Sequence, residues 1–183
     1  SFLRWLQSLV HRDRVIFENK YENQPIMLCA IFEKGELRKD IVRLFGVAKE
    51  MGVYVLCVNT KKLRATEPLD GLIDCYIERF NFGRDFGSYK SGFLHVFRRG
   101  WEKDCPRLLM VNDSVFYSKK NLNSFINKMF STNKDVLGAT ENREIQHHIG
   151  SFCVSIGSAV LNKRQFQSYW YKYRKCDVRP KVI

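Results

Sequence analysis

Three polar clusters hold the side chains suited to chemistry: RFNFGRDFGSYKSG (79–92), NDS (112–114) and ENREIQHHIGSF (141–152). In the first, Gly83 and Gly87 let the backbone approach a ligand closely, and Asp85 can cap a helix. The free amides of that helix's first turn, with Arg84 and Lys90, make an anion site fit for a diphosphate. A tight glycine-rich loop with solvated charges is the plain alternative. Gly87 and Gly92 lie inside the helical stretch, where each costs about 1 kcal/mol relative to Ala, so close packing or a bound group must compensate.

The second cluster follows an apolar run directly. Asn112, Asp113 and Ser114 offer one carboxylate with neighbouring oxygen donors, which suits a hydrated Mg²⁺ or Mn²⁺ bridging to phosphates, with Asp113 as metal ligand. An Asx turn between strand and helix accounts for the same residues. The third cluster carries Glu141, Glu144, His147 and His148. A carboxylate or imidazole at a strand end can act as the general base that deprotonates an acceptor hydroxyl. Glu141 is the first candidate and His148 the second. Adjacent histidines entering a strand point to opposite faces, so at most one of that pair faces a crevice.

The elements that must position these clusters alternate along the chain. Apolar runs at 26–32, 53–59, 75–80 and 107–113 read as strands, and 135–142 and 150–157 as two more. Between them lie helical repeats: Leu37 to Met51 closed by Gly52, Phe86 to Phe97 closed near Gly100, and Leu122 to Met129. A last helix carries Phe166, Trp170 and Tyr173, with Asn162 as its cap. Alternation of this kind predicts a mostly parallel α/β sheet with helices on both faces, and ligands then sit outside the carboxyl ends of the strands. All three clusters fall at that edge.

At 183 residues with 45% hydrophobic and 14% aromatic content, the chain suits one domain over 1–183 with no interdomain linker. It contains no apolar run near the roughly 18 residues of a membrane span. Its six cysteines show no metal-ligand spacing, and three lie in apolar runs, which points to reduced thiols and a cytoplasmic setting. The net charge of +12 calls for a polyanionic partner. The cations are spread along the chain without a nucleic-acid signature, so nucleic acid is set aside as a partner. Residues 1–20 mix cations with Phe2, Leu3, Trp5, Leu6, Leu9 and Val10 on one face of a short helix, a basic amphipathic segment suited to an anionic membrane surface.

The motifs NFGRDFGSYKSG, LLMVNDSVF, LGATENREIQHHIGSFCVSIGSAVL and FQSYW, in this order and spacing, resemble the rhamnan synthesis protein F family of bacterial cell-surface polysaccharide glycosyltransferases. The resemblance covers about residues 26 to 183. It implies a GT-A-like (Rossmann-like) domain that takes a sugar, rhamnose or similar, from a nucleoside-diphosphate sugar to a lipid-linked glycan. Inversion is the favoured outcome, and the expected place is the inner face of the cytoplasmic membrane. The implied donor crevice is lined by Asn81, Gly83, Arg84, Asp85, Gly87, Lys90, Asn112 and Asp113. Asn112-Asp113-Ser114 has one carboxylate where the DxD motif of GT-A enzymes has two. The rivals are a non-catalytic scaffold of the same fold and a polyanion-binding or nucleic-acid-binding domain.

Overall fold

The computed structural model describes residues 3, 7, 10–64, 69–143 and 148–176. Its frame is a mixed sheet of seven strands in the order β1-β4-β3-β2-β5-β9-β6. These are β1 (Arg14–Glu18), β2 (Ile26–Ile31), β3 (Tyr54–Asn59), β4 (Cys75–Glu78), β5 (Arg107–Asn112), β6 (Val136–Gly138) and β9 (Cys153–Gly157). A small hairpin, β7 (Glu141–Asn142) with β8 (His148–Ile149), stands apart from the main sheet.

Every residue of β2 and β3 is buried, as continuous apolar runs in the middle of a sheet require. Alternation divides them between two cores. Met27, Cys29 and Ile31 pack beneath α1 (Lys39–Glu50) and α3 (Leu122–Ser131), while Ile26, Leu28 and Ala30 face α2 (Arg84–Arg99) and α5 (Arg164–Lys172). Helices therefore cover both faces, as expected. The aromatics of α5 pack on the domain itself: the Trp170 ring stacks on Phe93 with centroids 4.5 Å apart.

The sheet is mostly parallel, as expected, but not purely so. β2, β3, β4 and β5 pair in parallel, but β9 is antiparallel to both β5 and β6, and β1 is antiparallel to β4. Strand β1 itself is an addition, lying within the basic segment 1–20 but after the Phe2–Val10 stretch read as a short helix. Of that segment's apolar face, Phe2, Trp5, Leu6 and Leu9 lie outside the described residues, and Leu3 and Val10 are exposed. A second correction concerns Asn162. It closes the short helix α4 (Ser158–Leu161) and donates to the Glu102 and Ser158 carbonyls, while Lys163 precedes α5 with no side-chain cap. All six cysteines are free thiols. Among the described residues no helix is long and apolar enough to cross a membrane.

Gly92 owes its place in α2 to packing. A Cβ there would lie 2.1 Å from Leu28 Cδ1, so the missing side chain is what lets α2 lie against the sheet. We expect Gly92→Ala to lower stability by about 1–3 kcal/mol through overpacking, despite alanine's better helix propensity. Denaturant titration of the two proteins checks this, and an unchanged or raised midpoint would refute it.

Candidate functional site

Four parallel strands end at one edge, and two buried asparagines hold their loops there. Asn59 ends β3: its Oδ1 accepts the amides of Glu33 at 3.3 Å and Lys61 at 3.0 Å. Its Nδ2 donates to the Glu33 carbonyl at 2.9 Å and the Tyr76 hydroxyl at 3.1 Å. Asn112 ends β5. Its Oδ1 accepts the Ser114 amide at 3.1 Å and hydroxyl at 2.5 Å, the Asx turn that the residue types allow. The same side chain reaches outward, and Nδ2 donates to Asp85 Oδ2 at 2.9 Å.

Asp113 is held from β2. Its carboxylate accepts the Phe32 amide at 2.6 Å, its own amide donates to the Ala30 carbonyl at 3.2 Å, and its carbonyl accepts from Arg38 at 2.8 Å. Arg38 is fastened in turn by Asp40 at 3.0 and 2.9 Å and by the Val115 carbonyl at 2.9 Å.

The turn into α2 supplies the other wall. Gly83 and Arg84 both adopt left-handed backbone, at φ +87° and +48°, which swings the helix start over the strand ends. Asp85 does not cap that helix as the spacing suggested, because Gly83 precedes it with no side-chain bond and Asp85 is tied to Asn112 instead. A cleft of about 290 Å³ opens here, lined by Phe32, Thr60, Asn81, Arg84, Asp85 and Ser88. Burial raises the Asp85 carboxyl above the ordinary range, the charge of Asp113 raises it further, and Arg84 pulls it back. Glu33 is raised by burial and by Asp113 in the same way, with Arg38 opposing.

Asn81, Arg84, Asp85, Asn112 and Asp113 are thus brought together, while Gly87 and Lys90 have other work. A Cβ on Gly87 would lie 2.6 Å from the Phe82 carbonyl and 2.7 Å from Arg79 Nη2. The absent side chain makes room for the buried Arg79, which donates to the Phe82 carbonyl and, at 3.3 Å, to Ser88 Oγ. Lys90 donates to the carbonyls of Tyr171 and Tyr173 at 3.0 and 2.5 Å, closing the end of α5. Gly83 lies under Lys175, whose ammonium is pushed down to about 8 by burial and by Arg79.

The hairpin that carries Glu141 and His148 hangs from the same edge on the β5 side. Its base is fixed where Phe152 accepts the Asn112 amide at 3.1 Å and Ser151 accepts the Tyr89 hydroxyl at 3.0 Å. Glu141 is exposed and pairs with Arg143 at 2.8 Å, and His148 pairs with Asn142 across the hairpin. Glu144 and His147 lie outside the described residues.

A second groove of about 410 Å³ joins the cleft through Thr60 and Asn81. It gathers His11, Arg12, Arg14, Lys61 and Lys62, with the His11 ring stacked on Phe80 at 4.8 Å. These cations come from two distant stretches, so no basic tract announces them. Arg38, Asn59 and Arg79 were likewise missed. The single legible hint was Asn59, a polar residue closing an apolar run as Asn112 does.

Residues 53–183 match the family model described as Rhamnan synthesis protein F. The chain belongs to this family. Among curated relatives, Uncharacterized protein y4gN of Sinorhizobium fredii (strain NBRC 101917 / NGR234) is 30% identical over 138 residues, covering 72% of this chain and 36% of that protein. Virulence protein VirA of Vibrio anguillarum (strain ATCC 68554 / 775) is 28% identical over 119 residues, covering 64% and 38%. This member of the rhamnan synthesis family therefore spans under two fifths of the length of either relative. No solved structure matches it.

The Asp85 carboxyl is raised in the folded state, so the folded chain holds that proton more tightly than the unfolded chain does. Its contribution to stability is then greatest at low pH and is lost as pH rises from the unfolded value through the folded one. Asp85→Asn removes this cost while keeping an acceptor for Asn112. Thermal melts should show a higher midpoint for the variant at pH 7, the gap closing below the ordinary carboxylate range. A lower midpoint at pH 7 would contradict it.

Proposed function

We propose that the chain is the GT-A-like nucleotide-sugar-binding domain of a glycosyltransferase, moving rhamnose or a similar sugar from a nucleoside-diphosphate sugar to a lipid-linked surface polysaccharide. The observation that carries the reading is the cleft that Asn81, Arg84 and Asp85 line at the carboxyl edge, with Asn112 bonded to Asp85 and Asp113 next to it in the chain, in a member of the rhamnan synthesis family. The DxD motif of GT-A enzymes has two carboxylates. Here Asp113 supplies one from β5, and Asp85 brings a second from α2 through Asn112.

That pair fits Mg²⁺ or Mn²⁺. The donors are all oxygen, and a dication beside Asp85 would offset both the burial and the Asp113 charge that raise its carboxyl. When bound, the ion would supply charge neutralisation for the diphosphate; Asp85 and Asp113 would hold it. Arg84 and the amides at the start of α2 face the same phosphates. On the hairpin, Glu141 is the proposed base for the acceptor hydroxyl, and His148 the second candidate or an acceptor-orienting group. The exposed Leu3 and Val10 support contact with an anionic membrane face, which would present the lipid-linked acceptor.

Isothermal titration with dTDP-, UDP- and GDP-sugars, with and without Mg²⁺ or Mn²⁺, tests donor binding. One sugar nucleotide should bind, and Asp113→Ala should weaken it by tenfold or more; silence from the folded protein across the panel would sink the proposal. For the chemistry, Glu141→Gln should lower turnover at least about a hundredfold with donor affinity unchanged. Wild-type turnover in that variant would move the base to another residue, and a domain whose biological role survives Asp113→Ala is a scaffold.

A further inference from the structure

At the opposite end of β4, away from the cleft, three side chains of different donor chemistry meet. Glu18 is the last residue of β1 and Cys75 the first of β4, and their Cα atoms are register partners in the antiparallel pair. His95 reaches them from α2. One carboxylate oxygen, the thiol sulfur and an imidazole nitrogen all lie within 4.8 Å of one another. The imidazole Nε2 is 2.5 Å from Glu18 Oε2 and 3.8 Å from Cys75 Sγ. Among the described residues this is the one group of three or more His, Cys, Asp and Glu residues so placed.

We propose that Glu18, Cys75 and His95 bind a thiophilic divalent cation of the zinc class. Oxygen, nitrogen and thiolate sulfur are the three donor types that zinc takes, at about 2.0–2.3 Å, which sets ligand atoms of a tetrahedral site roughly 3–4 Å apart. The observed separations close on such a centre once the Glu18 oxygen turns from Nε2. The Glu18–His95 pair and the Cys75–His95 contact already turn all three donor atoms toward one point, and a cation there would use all three. Arg99 grips both oxygens of Glu18, Nη2 on Oε1 at 2.8 Å and Nε on Oε2 at 3.3 Å, so it orients the carboxylate from outside. Glu18 is the partly open side, where water completes the fourth position.

Binding replaces the thiol proton. The proton leaves in exchange for the cation, so affinity rises with pH. The ligands come from β1, β4 and α2, and the cation would clamp the edge strand β1 to the body of the domain. Nothing here depends on the transferase reading.

The test uses chelator-treated protein titrated with Co²⁺ as a coloured stand-in, then with Zn²⁺. One equivalent of Co²⁺ should produce the near-ultraviolet thiolate charge-transfer band, and Zn²⁺ should displace it and raise the melting midpoint. Cys75→Ser should lose the band and bind Co²⁺ at least about tenfold more weakly, whereas Cys176→Ser, which alters the half-buried thiol, should keep both. Absence of the band from folded wild-type protein, or its survival in Cys75→Ser, overturns the proposal. If Cys75→Ser does not fold, His95→Gln is read in its place, with the same loss supporting the site and retention of the band refuting it.

Discussion

The hydrogen bond from Asn112 to Asp85 joins two elements that have no backbone pairing with each other, the end of β5 and the first turn of α2. Without it the edge of the sheet would carry a glycine-rich turn on one side and an Asx turn on the other. With it, the carboxylates of Asp85 and Asp113 belong to one electrostatic unit. Burial raises the Asp85 carboxyl, and the like charge of Asp113 raises it further. The fold tolerates the conflict because its surroundings are rigid: β2 and β3 are buried throughout, and Arg38 and Asn59 fix the loops from below. Strain of this sort, kept at a cleft and supported by a well-packed frame, is what a binding site requires.

Much of the frame was legible in the chain. The apolar runs that became β2, β3, β4 and β5 announce themselves through β-branched content and through the polar residues that end them, and α1 and α2 through their period. Direction was not legible, because the burial pattern of a strand says whether its faces are covered and nothing about which way it runs; β9 is the instance. Strand β1 was hidden because its few apolar residues sit among charges, and only pairing with β4 reveals that one side of it is covered.

The site divides in the same manner. Asn112 and Asp113 were visible as a break in an apolar run. The role of Asp85 was misjudged, since a carboxylate at a helix start has a local use as a cap, and only the tertiary fold supplies Asn112 as its partner. Gly87 and Gly92 show the converse. Each called for close packing or a bound group, and at each the packing is visible, against Arg79 at Gly87 and Leu28 at Gly92. The basic groove of His11, Arg12, Arg14, Lys61 and Lys62 could not be found from composition, because strand pairing assembles it from segments far apart in the chain.

Asp85 and Asp113 are coupled through their charges. Carbon-detected NMR titration of the aspartate carboxyls measures this directly. The account predicts that Asp85 titrates above the ordinary aspartate range, moves down in Asp113→Asn, and moves down again when Mg²⁺ is added to the wild type. An Asp85 that titrates in the ordinary range and responds to neither change would contradict it.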